Sequence, residues 1–483
     1  MLQMLRLVAL TAVAALAAAV PSNVGSGAAD FEAPRYTLDL DLPPQQRWKA
    51  MCLAQIRTHG WENAFGPVFK FINTVVPADT WVKYDAALQA VAIPVVGSEM
   101  TNELRGIQAA ALEIGQKVQL SELLFFQIFY EILMQCTGIL ARDPLGVVFH
   151  GRNMDIGLIT ANITATVTWT KGGEALMTTT QYLGYVGVHT GMRRGGIGRK
   201  EGWSVQANER VALVPGPSIG YKDATLLATI LAFAEGHQTV GGFIRNIMLK
   251  APTFEQAIPL LSNTPLASPM YLIVGGRDRG AVLTRDRKGL TRESQDTNAK
   301  YNTGGRLPVP PSGGNHRKLG ASARDPWYLL QTNWDPWIPQ THWGCDGAMV
   351  KYSAAEEAAC ENYIKNWYAD LGGCNDLCQL YSDGRSENAT KSMGAWASRD
   401  ADPEHLMSAL SLPPVLNGGT RFTSIMSPAV NHYTTLVRAA AVGCGGVSCQ
   451  PPDLRALRFL VQTMGKAFLP KMNRTINELA KSR

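Results

Sequence analysis

Residues 135–155 read QCTGILARDPLGVVFHGRNMD and decide the fold. Two apolar, β-favouring runs, 137–141 and 147–150, lie on either side of the segment DPLG at 143–146, whose proline and glycine placement is typical of a tight turn. The stretch therefore predicts a β-hairpin whose first strand is opened by Cys136. Antiparallel pairing brings the polar end of the second strand, residues 150–155, beside the start of the first strand.

Cys136 is the first candidate for chemistry in this hairpin. A lone cysteine in apolar surroundings is usually an inert core residue. Here the hairpin sets it next to Arg152 and Asp155, charged side chains of the kind that hold a thiolate or an α-amine in place. A structural salt bridge at the end of the hairpin explains the same two charges, and from the residues alone both interpretations stay open.

The remaining sequence alternates between helical and strand-like patterns. Before Cys136, apolar residues recur at helical spacing over 102–118, and a second helix is predicted to follow with Ser121 as its N-cap. After Cys136, strands are predicted at 163–169, 176–183, 270–274 and 281–284, helices at 226–234 and 253–261, and a Gly- and Pro-rich loop at 302–326. We therefore expect largely antiparallel sheets covered by helices.

Composition indicates a globular protein and argues against nucleic acid as a partner. Of the 483 residues, 46% are hydrophobic and 17% are charged, and the net charge of +6 comes from scattered rather than clustered Lys and Arg. The basic, Gly-rich segment 193–200 fits neither a phosphate loop nor a dinucleotide fingerprint. We interpret it as a solvated loop, with contact to an anionic membrane surface as the alternative.

The N-terminus has the features of a secretory signal peptide, predicted over residues 1–19. Arg6 precedes an apolar run at 7–20, and the alanines at 17–19 offer a cleavage site. An uncleaved membrane anchor is the alternative, although the run is shorter than the roughly 20 residues of a spanning helix. The apolar segment 123–134 is also too short and is interrupted by polar residues, so it is predicted to be a buried helix.

Export implies an oxidising compartment, in which the eight cysteines are first interpreted as disulfide material. With Cys136 kept free, seven remain, and the isolated Cys52 is the candidate for a second free thiol. Cys444 and Cys449 are expected to pair locally. Cys345, Cys360, Cys374 and Cys378 allow three connectivities, with zinc as the alternative for this cluster. Three N-glycosylation sequons begin at Asn162, Asn388 and Asn473.

A series of motifs connects the chain to a known family. They lie at residues 36–44, 129–137, 150–155, 184–187, 208–210, 284–287, 331–335 and 414–417. In this order they resemble the acid ceramidase and N-acylethanolamine-hydrolysing acid amidase family, which are N-terminal-nucleophile cysteine hydrolases. The resemblance covers about residues 36–337 and 411–449. It implies an α+β fold, the four-layer αββα sandwich of these hydrolases.

The resemblance also implies a reaction. Autocatalytic cleavage between Gln135 and Cys136 is expected to give a small α subunit, residues 20–135, and a β subunit, residues 136–483, which stay associated. The freed Cys136 then carries both a thiol and an α-amine, whose reference pKa of about 7.7–8.0 suits a general base. The expected substrate is a lipid amide, ceramide or an N-acylethanolamine, hydrolysed in the lysosome or after secretion. No cofactor and no metal are expected.

The family pattern assigns further site residues. It places Asp155 near the α-amine, Arg152 beside charge on the nucleophile, Asn333 in the oxyanion hole, and Glu209 as a partner that organises the site. The chain departs from the pattern at about 339–410, which is predicted to be an insertion that contains four cysteines. Within it, Arg385 is the nearest match to the second active-site arginine of the family.

Two alternatives remain open at this stage. One is a cysteine acylase of the same fold that acts on bile-salt-like or penicillin-like amides. The other is an inactive lipid-binding protein that keeps the fold, stays uncleaved and does not depend on Cys136.

Overall fold

A computed structural model describes residues 29–75, 78–128, 131, 135–156, 161–195, 202–210, 232–233, 235–290, 327–333 and 384–438. The predicted signal peptide, the loop at 302–326, nearly all of the helix predicted at 226–234 and the cysteines from Cys345 onward lie outside these ranges.

The strands and helices follow the chain in order. The strands are β1 Phe31–Glu32, β2 Arg35–Asp39, β3 Gln135–Arg142, β4 Val148–Asp155, β5 Thr164–Lys171, β6 Glu174–Tyr182, β7 Thr190–Arg193, β8 Trp203–Glu209, β9 Met270–Gly275, β10 Gly280–Arg285, β11 Tyr328–Gln331, β12 Thr420–Ser427 and β13 His432–Val437. The helices are α1 Pro44–Arg47, α2 Lys49–His59, α3 Gly66–Val75, α4 Ala78–Val96, α5 Ser98–Glu113, α6 Leu120–Ile128, α7 Val240–Lys250, α8 Phe254–Asn263, α9 Gly384–Gly394 and α10 Pro403–Leu410.

These strands form two sheets. The six-stranded sheet has the order β1-β13-β12-β4-β3-β11, and the seven-stranded sheet has the order β10-β9-β8-β7-β6-β5-β2. Neighbouring strands are antiparallel, apart from the parallel pair β2 and β5. The prediction of largely antiparallel sheets is confirmed.

The alternation of residue types along β8 shows how the layers stack. Trp203, Val205 and Ala207 are apolar and belong to a core cluster that also contains residues of helices α2, α5, α6 and α7. The intervening Ser204 and Gln206 point the other way and hydrogen bond to His150 of the six-stranded sheet. Because side chains alternate along a strand, one face of the sheet packs on helices and the other on the second sheet.

A second core cluster covers the outer face of the six-stranded sheet. Leu406 and Leu410 of α10 and Met393 of α9 pack there against Ile139 and Ile425. The four layers are therefore helix, sheet, sheet and helix, and the predicted αββα sandwich is confirmed. The segment predicted as an insertion, 339–410, thus ends in a helical layer of the fold, whereas residues 339–383 lie outside the described ranges.

The two helices before Cys136 differ in their bounds from the prediction. Helix α5 spans Ser98–Glu113 rather than 102–118, because Gly115 takes a positive φ of 77° just beyond its end. Helix α6 begins at Leu120, so the predicted N-cap role of Ser121 is wrong. The Glu122 carboxylate instead accepts the backbone N–H of Gln119 at 2.7 Å.

Helix α6 confirms residues 123–128 of the buried helix predicted at 123–134, since Leu123, Leu124 and Phe126 are all core residues. Residues 129–130 and 132–134 lie outside the described ranges. The helix ends at Ile128, seven residues before β3 begins at Gln135. Across the described ranges, no helix combines the length and the apolar character needed to span a bilayer.

Candidate active site

The β3–β4 hairpin forms as predicted and fixes the register of the site. Cys136 lies opposite Met154, and Gln135 lies opposite Asp155. The alternation of side chains turns Cys136 and Arg152 toward the seven-stranded sheet and Asp155 toward the opposite face. The Cys136 side chain is fully buried in the uncut chain.

Arg152 places a positive charge beside the sulfur of Cys136. Its Nη2 lies 3.2 Å from Cys136 Sγ and 2.9 Å from the sulfur of Met154. Its Nη1 donates to the main-chain carbonyls of His189 and Ala207, at 2.8 and 3.2 Å, on the facing sheet. These bonds hold the buried guanidinium where it stabilises negative charge on the sulfur.

Asp155 and Arg385 form a buried ion pair next to Cys136. Arg385 Nη1 lies 3.0 Å from Asp155 Oδ2, and the Thr420 hydroxyl donates to Asp155 Oδ1 at 2.6 Å. Burial raises the pKa of the Asp155 carboxyl, and the Arg385 guanidinium offsets part of that rise. Arg385 also approaches the carbonyl oxygen of Cys136, at 3.3 Å from Nη1.

Asn333 lies two residues beyond the end of β11, which pairs with β3, and reaches Cys136 from there. Its Oδ1 accepts the backbone N–H of Cys136 at 2.8 Å and a guanidinium N–H of Arg385 at 3.0 Å. Its Nδ2 donates to the carbonyl oxygen of Glu209 at 2.7 Å. In the uncut chain Asn333 therefore binds the nucleophile's main chain through its oxygen, and its N–H2 group faces Glu209.

Glu209 lies at the end of β8, and the structure joins it to this group through its main-chain carbonyl oxygen. Its side chain is half-buried and shares the strand face of Ala207 and Val205, by the alternation along β8. Of the predicted site residues, Cys136, Arg152, Asp155, Asn333 and Arg385 are thus brought together by their side chains.

Sequence reasoning missed Asn208, which lies beside Glu209 but faces the second sheet. Its Nδ2 donates to the carbonyl oxygens of Gln331 and Thr332 at 3.0 and 3.2 Å, and lies 3.5 Å from that of Cys136. The signal was present in the sequence, because polar residues alternate with apolar ones from Trp203 to Asn208.

Cys52 and Cys136 are the cysteines of the described ranges, and each lies outside any disulfide there. Cys52 is unpaired, as predicted, and lies buried among the helices of the first 135 residues. Burial raises the pKa of its thiol to about 12, so it remains protonated and unreactive. The residues that the structure describes contain no group of three His, Cys, Asp or Glu side chains that could hold a metal ion.

Comparison with known proteins finds the chain similar to acid ceramidases and to an acid amidase. No family model matches it. It is 26% identical over 437 residues to acid ceramidase of Mus musculus, covering 86% of this chain and 88% of that protein. It is also 26% identical over 411 residues to N-acylethanolamine-hydrolyzing acid amidase of Mus musculus, covering 84% of this chain and 89% of that protein. The chain is similar to the acid ceramidases and to this amidase over most of its length.

This similarity confirms the resemblance that the sequence motifs predicted. Among solved structures, the Caenorhabditis elegans ortholog of N-acylethanolamine-hydrolyzing acid amidase matches with a TM-score of 0.41 and 23% identity, covering 61% of this chain and 93% of that chain.

Proposed function

We propose that this protein is a cysteine amidohydrolase that cleaves its own chain before Cys136 and then hydrolyses N-acyl amides of fatty acids. The observation that carries the proposal is the convergence of Arg152, Asp155, Asn333 and Arg385 on one buried cysteine at the start of a strand. Cys52, in contrast, lies among apolar core residues of the helices, and the described residues place no such set of charged side chains around it.

The first reaction is self-cleavage. The Cys136 sulfur attacks the carbonyl carbon of Gln135, the C–N bond to Cys136 breaks, and the nitrogen leaves as the free α-amine of Cys136. A water molecule then hydrolyses the thioester, which restores the thiol and leaves a carboxylate on Gln135. Arg152, 3.2 Å from the sulfur, stabilises the negative charge that the attack requires.

The second reaction repeats this chemistry on substrate. The α-amine of Cys136 takes the thiol proton, the sulfur attacks the amide carbonyl, and the protonated amine of the substrate departs. Water then releases the fatty acid from the thioester. Asn333 Oδ1, which is 2.8 Å from the Cys136 nitrogen, holds the amine in position, and Asp155 lies across the strand pair from Gln135.

Stabilisation of the oxyanion needs donors aimed at the reacting carbonyl. In the uncut chain the Asn333 N–H2 group is engaged by Glu209, so the predicted oxyanion role requires this amide to turn after cleavage. Arg385 is the neighbouring donor, since its Nη1 is 3.3 Å from the Cys136 carbonyl oxygen. We assign Glu209 the role of holding Asn333 through its main chain.

The substrate class follows from the relatives, which are named for the hydrolysis of ceramide and of N-acylethanolamines. We propose ceramide or an N-acylethanolamine as the substrate of this chain, processed in the lysosome or after secretion. The proposal includes the signal peptide, glycosylation and disulfides predicted from the sequence, association of the α and β subunits, and contact of the basic segment 193–200 with an anionic membrane surface.

Self-cleavage is tested by intact mass and N-terminal sequencing of the secreted protein after incubation in acidic buffer. The wild type is expected to yield a chain that begins at Cys136, and Cys136→Ala is expected to remain intact. Cys52→Ala is the matched control, because it removes the other described buried thiol and is expected to cleave normally. An intact wild type under all conditions would favour the inactive lipid-binding protein.

Substrate class is tested separately by the release of free acid. Ceramide and an N-acylethanolamine are compared with a bile-salt amide and a penicillin. Fatty acid released from the lipid amides only by the cleaved protein would support the proposal. Preferential turnover of the bile-salt amide or of penicillin would shift the assignment to the cysteine acylase alternative.

A further inference from the structure

Behind the nucleophile, a chain of buried polar side chains crosses between the two sheets. Ser204 Oγ lies 2.9 Å from His150 Nδ1, and His150 Nε2 lies 2.9 Å from Gln206 Oε1. Gln206 Nε2 then lies 2.6 Å from Asn208 Oδ1. All four side chains are fully buried. None of them belongs to the set of residues predicted to act on the substrate.

The donors and acceptors of this chain are consistent with a single direction. The Nδ2 of Asn208 faces two carbonyl oxygens, so its Oδ1 must accept from Gln206 Nε2. The Oε1 of Gln206 can only accept, so His150 donates from Nε2. His150 Nδ1 then accepts from the Ser204 hydroxyl at 2.9 Å, the shorter of its two contacts, since the Gly275 carbonyl oxygen lies 3.3 Å from the same Oγ. Every link therefore points toward Asn208.

The last of these four side chains, Asn208, contacts the segment that carries Asn333. Asn208 donates to the carbonyl oxygens of Gln331 and Thr332, the two residues that precede Asn333. Asn333 in turn binds the nitrogen of Cys136 and the carbonyl oxygen of Glu209, the residue that follows Asn208. The end of β11 is therefore held to β8 at two adjacent positions, one on each side of the bond between Asn208 and Glu209.

The packing around these four polar side chains leaves little room for them to adopt other positions. A Cβ added at Gly138 of β3 would lie 2.5 Å from Gln206 Nε2, and one added at Gly275 would lie 2.7 Å from Ser204 Oγ. His150 is also neutral in the fold, because burial and the nearby Arg152 lower its pKa to about 3. Its direction of donation is therefore unchanged from acidic to neutral pH.

We infer that His150 is a positioning residue, which fixes Asn333 and the Cys136 main chain through Gln206 and Asn208. This inference rests on the proposed function as far as catalysis is concerned. These four hydrogen-bonded side chains contact no reacting atom. They therefore affect the rate through the geometry of Asn333 and Cys136. Substrate affinity is expected to stay unchanged.

The test compares His150→Phe and Gln206→Met with His150→Gln in the cleaved enzyme. His150→Phe removes the donor and Gln206→Met removes the middle link at nearly constant volume, whereas His150→Gln keeps an N–H group that can reach Gln206. We expect kcat to fall about 10- to 100-fold in the first two variants, with KM nearly unchanged. His150→Gln is expected to recover most of kcat, and the double variant His150→Phe/Gln206→Met to be no slower than either single variant.

Ser427→Ala is the matched control, because it removes one buried side-chain hydrogen bond, to Val148 at 2.8 Å, in the same sheet. Loss of this structural hydrogen bond is expected to lower the melting temperature and to leave kcat unaltered. If Gln206→Met and Ser427→Ala have the same kcat as the wild type, His150 does not position the site. The same conclusion follows if His150→Gln is as slow as Gln206→Met.

Hydrogen exchange supplies a readout that does not depend on catalysis. Exchange in a peptide covering residues 328–333 is expected to accelerate in Gln206→Met and to stay at the wild-type rate in Ser427→Ala. Unchanged protection in Gln206→Met would overturn the inference even if the enzyme is active. If exchange is accelerated in Gln206→Met but the wild-type protein releases no fatty acid, the inference is supported and the proposed function is rejected instead.

Discussion

The guanidinium of Arg385 lies 3.0 Å from the carboxylate of Asp155, although 230 positions separate the two residues in the chain. The pair joins α9 of the outer helical layer to the end of β4, and both side chains are almost completely buried. The same guanidinium contacts Asn333 and the Cys136 carbonyl oxygen. Helix α9 is therefore part of the candidate active site as well as a cover for the sheet.

Replacement of Arg385 is expected to affect both stability and self-cleavage. Arg385→Met leaves the Asp155 carboxylate buried without its counter-charge, which costs about 3–5 kcal/mol when one partner of such a pair is removed. Arg399→Met, close by in the chain, is the matched control because that side chain is 82% exposed. Thermal unfolding and the rate of chain cleavage measure the two effects.

A double variant separates the two roles of Arg385. Arg385→Met/Asp155→Asn removes both charges, so stability is expected to recover in part while cleavage remains slow. Equal unfolding temperatures for Arg385→Met and Arg399→Met would contradict the structural role. Rapid cleavage by a folded Arg385→Met protein would contradict the role at the nucleophile.

Glu131 makes the stability of the uncut chain depend on pH. Its carboxylate accepts the Val240 N–H at 2.6 Å and a hydrogen bond from Ser268, with Tyr185 and the cationic Arg287 nearby. Burial raises the pKa of Glu131 from 4.5 to about 7, against smaller opposing effects of these hydrogen bonds and Arg287. The folded chain therefore holds a proton that the unfolded chain releases, and its stability falls as the pH rises from 4.5 to 7.

Glu131→Gln, made in a Cys136→Ala background that stays uncut, is expected to abolish this dependence. The amide keeps an acceptor for Val240, can donate to the Ser268 hydroxyl as the protonated acid can, and carries no charge at any pH. Its melting temperature is expected to exceed that of the parent by a few degrees above pH 7 and to match it near pH 4.5. Glu113→Gln, at an exposed position, serves as the control. A parallel shift of the Glu131→Gln curve at both pH values would refute the explanation.

The hairpin and its charged residues were predictable because the signals are local. Alternation, a turn sequence and the register of β3 on β4 place Arg152 and Asp155 beside Cys136 without any distant contact. The positions of Asn333 and Arg385 rest on strand and helix packing across 197 and 249 residues of chain, and motif resemblance was the available guide. The parallel pairing of β2 with β5 had no signal in either strand. The N-cap predicted at Ser121 is wrong because the helix already begins at Leu120, where the Glu122 carboxylate accepts the backbone N–H of Gln119.

The last prediction concerns association of the two subunits after cleavage. Glu103, in the segment expected to become the α subunit, is fully buried and accepts hydrogen bonds from Arg47, Trp48 and Arg245. Arg245 belongs to the expected β subunit and reaches both carboxylate oxygens of Glu103, at 2.6 and 2.7 Å. The carboxylate is thus the partner of two arginines, one from each side of the cleavage point.

Glu103→Gln is expected to weaken this association, because it removes the buried carboxylate that pairs with both guanidinium nitrogens of Arg245 and leaves the half-exposed Glu99 carboxylate, 4.0 Å away, as counter-charge. Breaking such a buried pair costs about 3–5 kcal/mol. Glu99→Gln removes a carboxylate that contacts Arg47 and lies 4.0 Å from Arg245, but this side chain is 57% exposed, so the change is expected to cost less than about 1 kcal/mol. Size-exclusion chromatography of the cleaved proteins in increasing urea should release the α subunit of Glu103→Gln at a lower concentration. Release of both variants at the same urea concentration would show that the subunits are held together by apolar packing, with no net contribution from the Glu103–Arg245 pair.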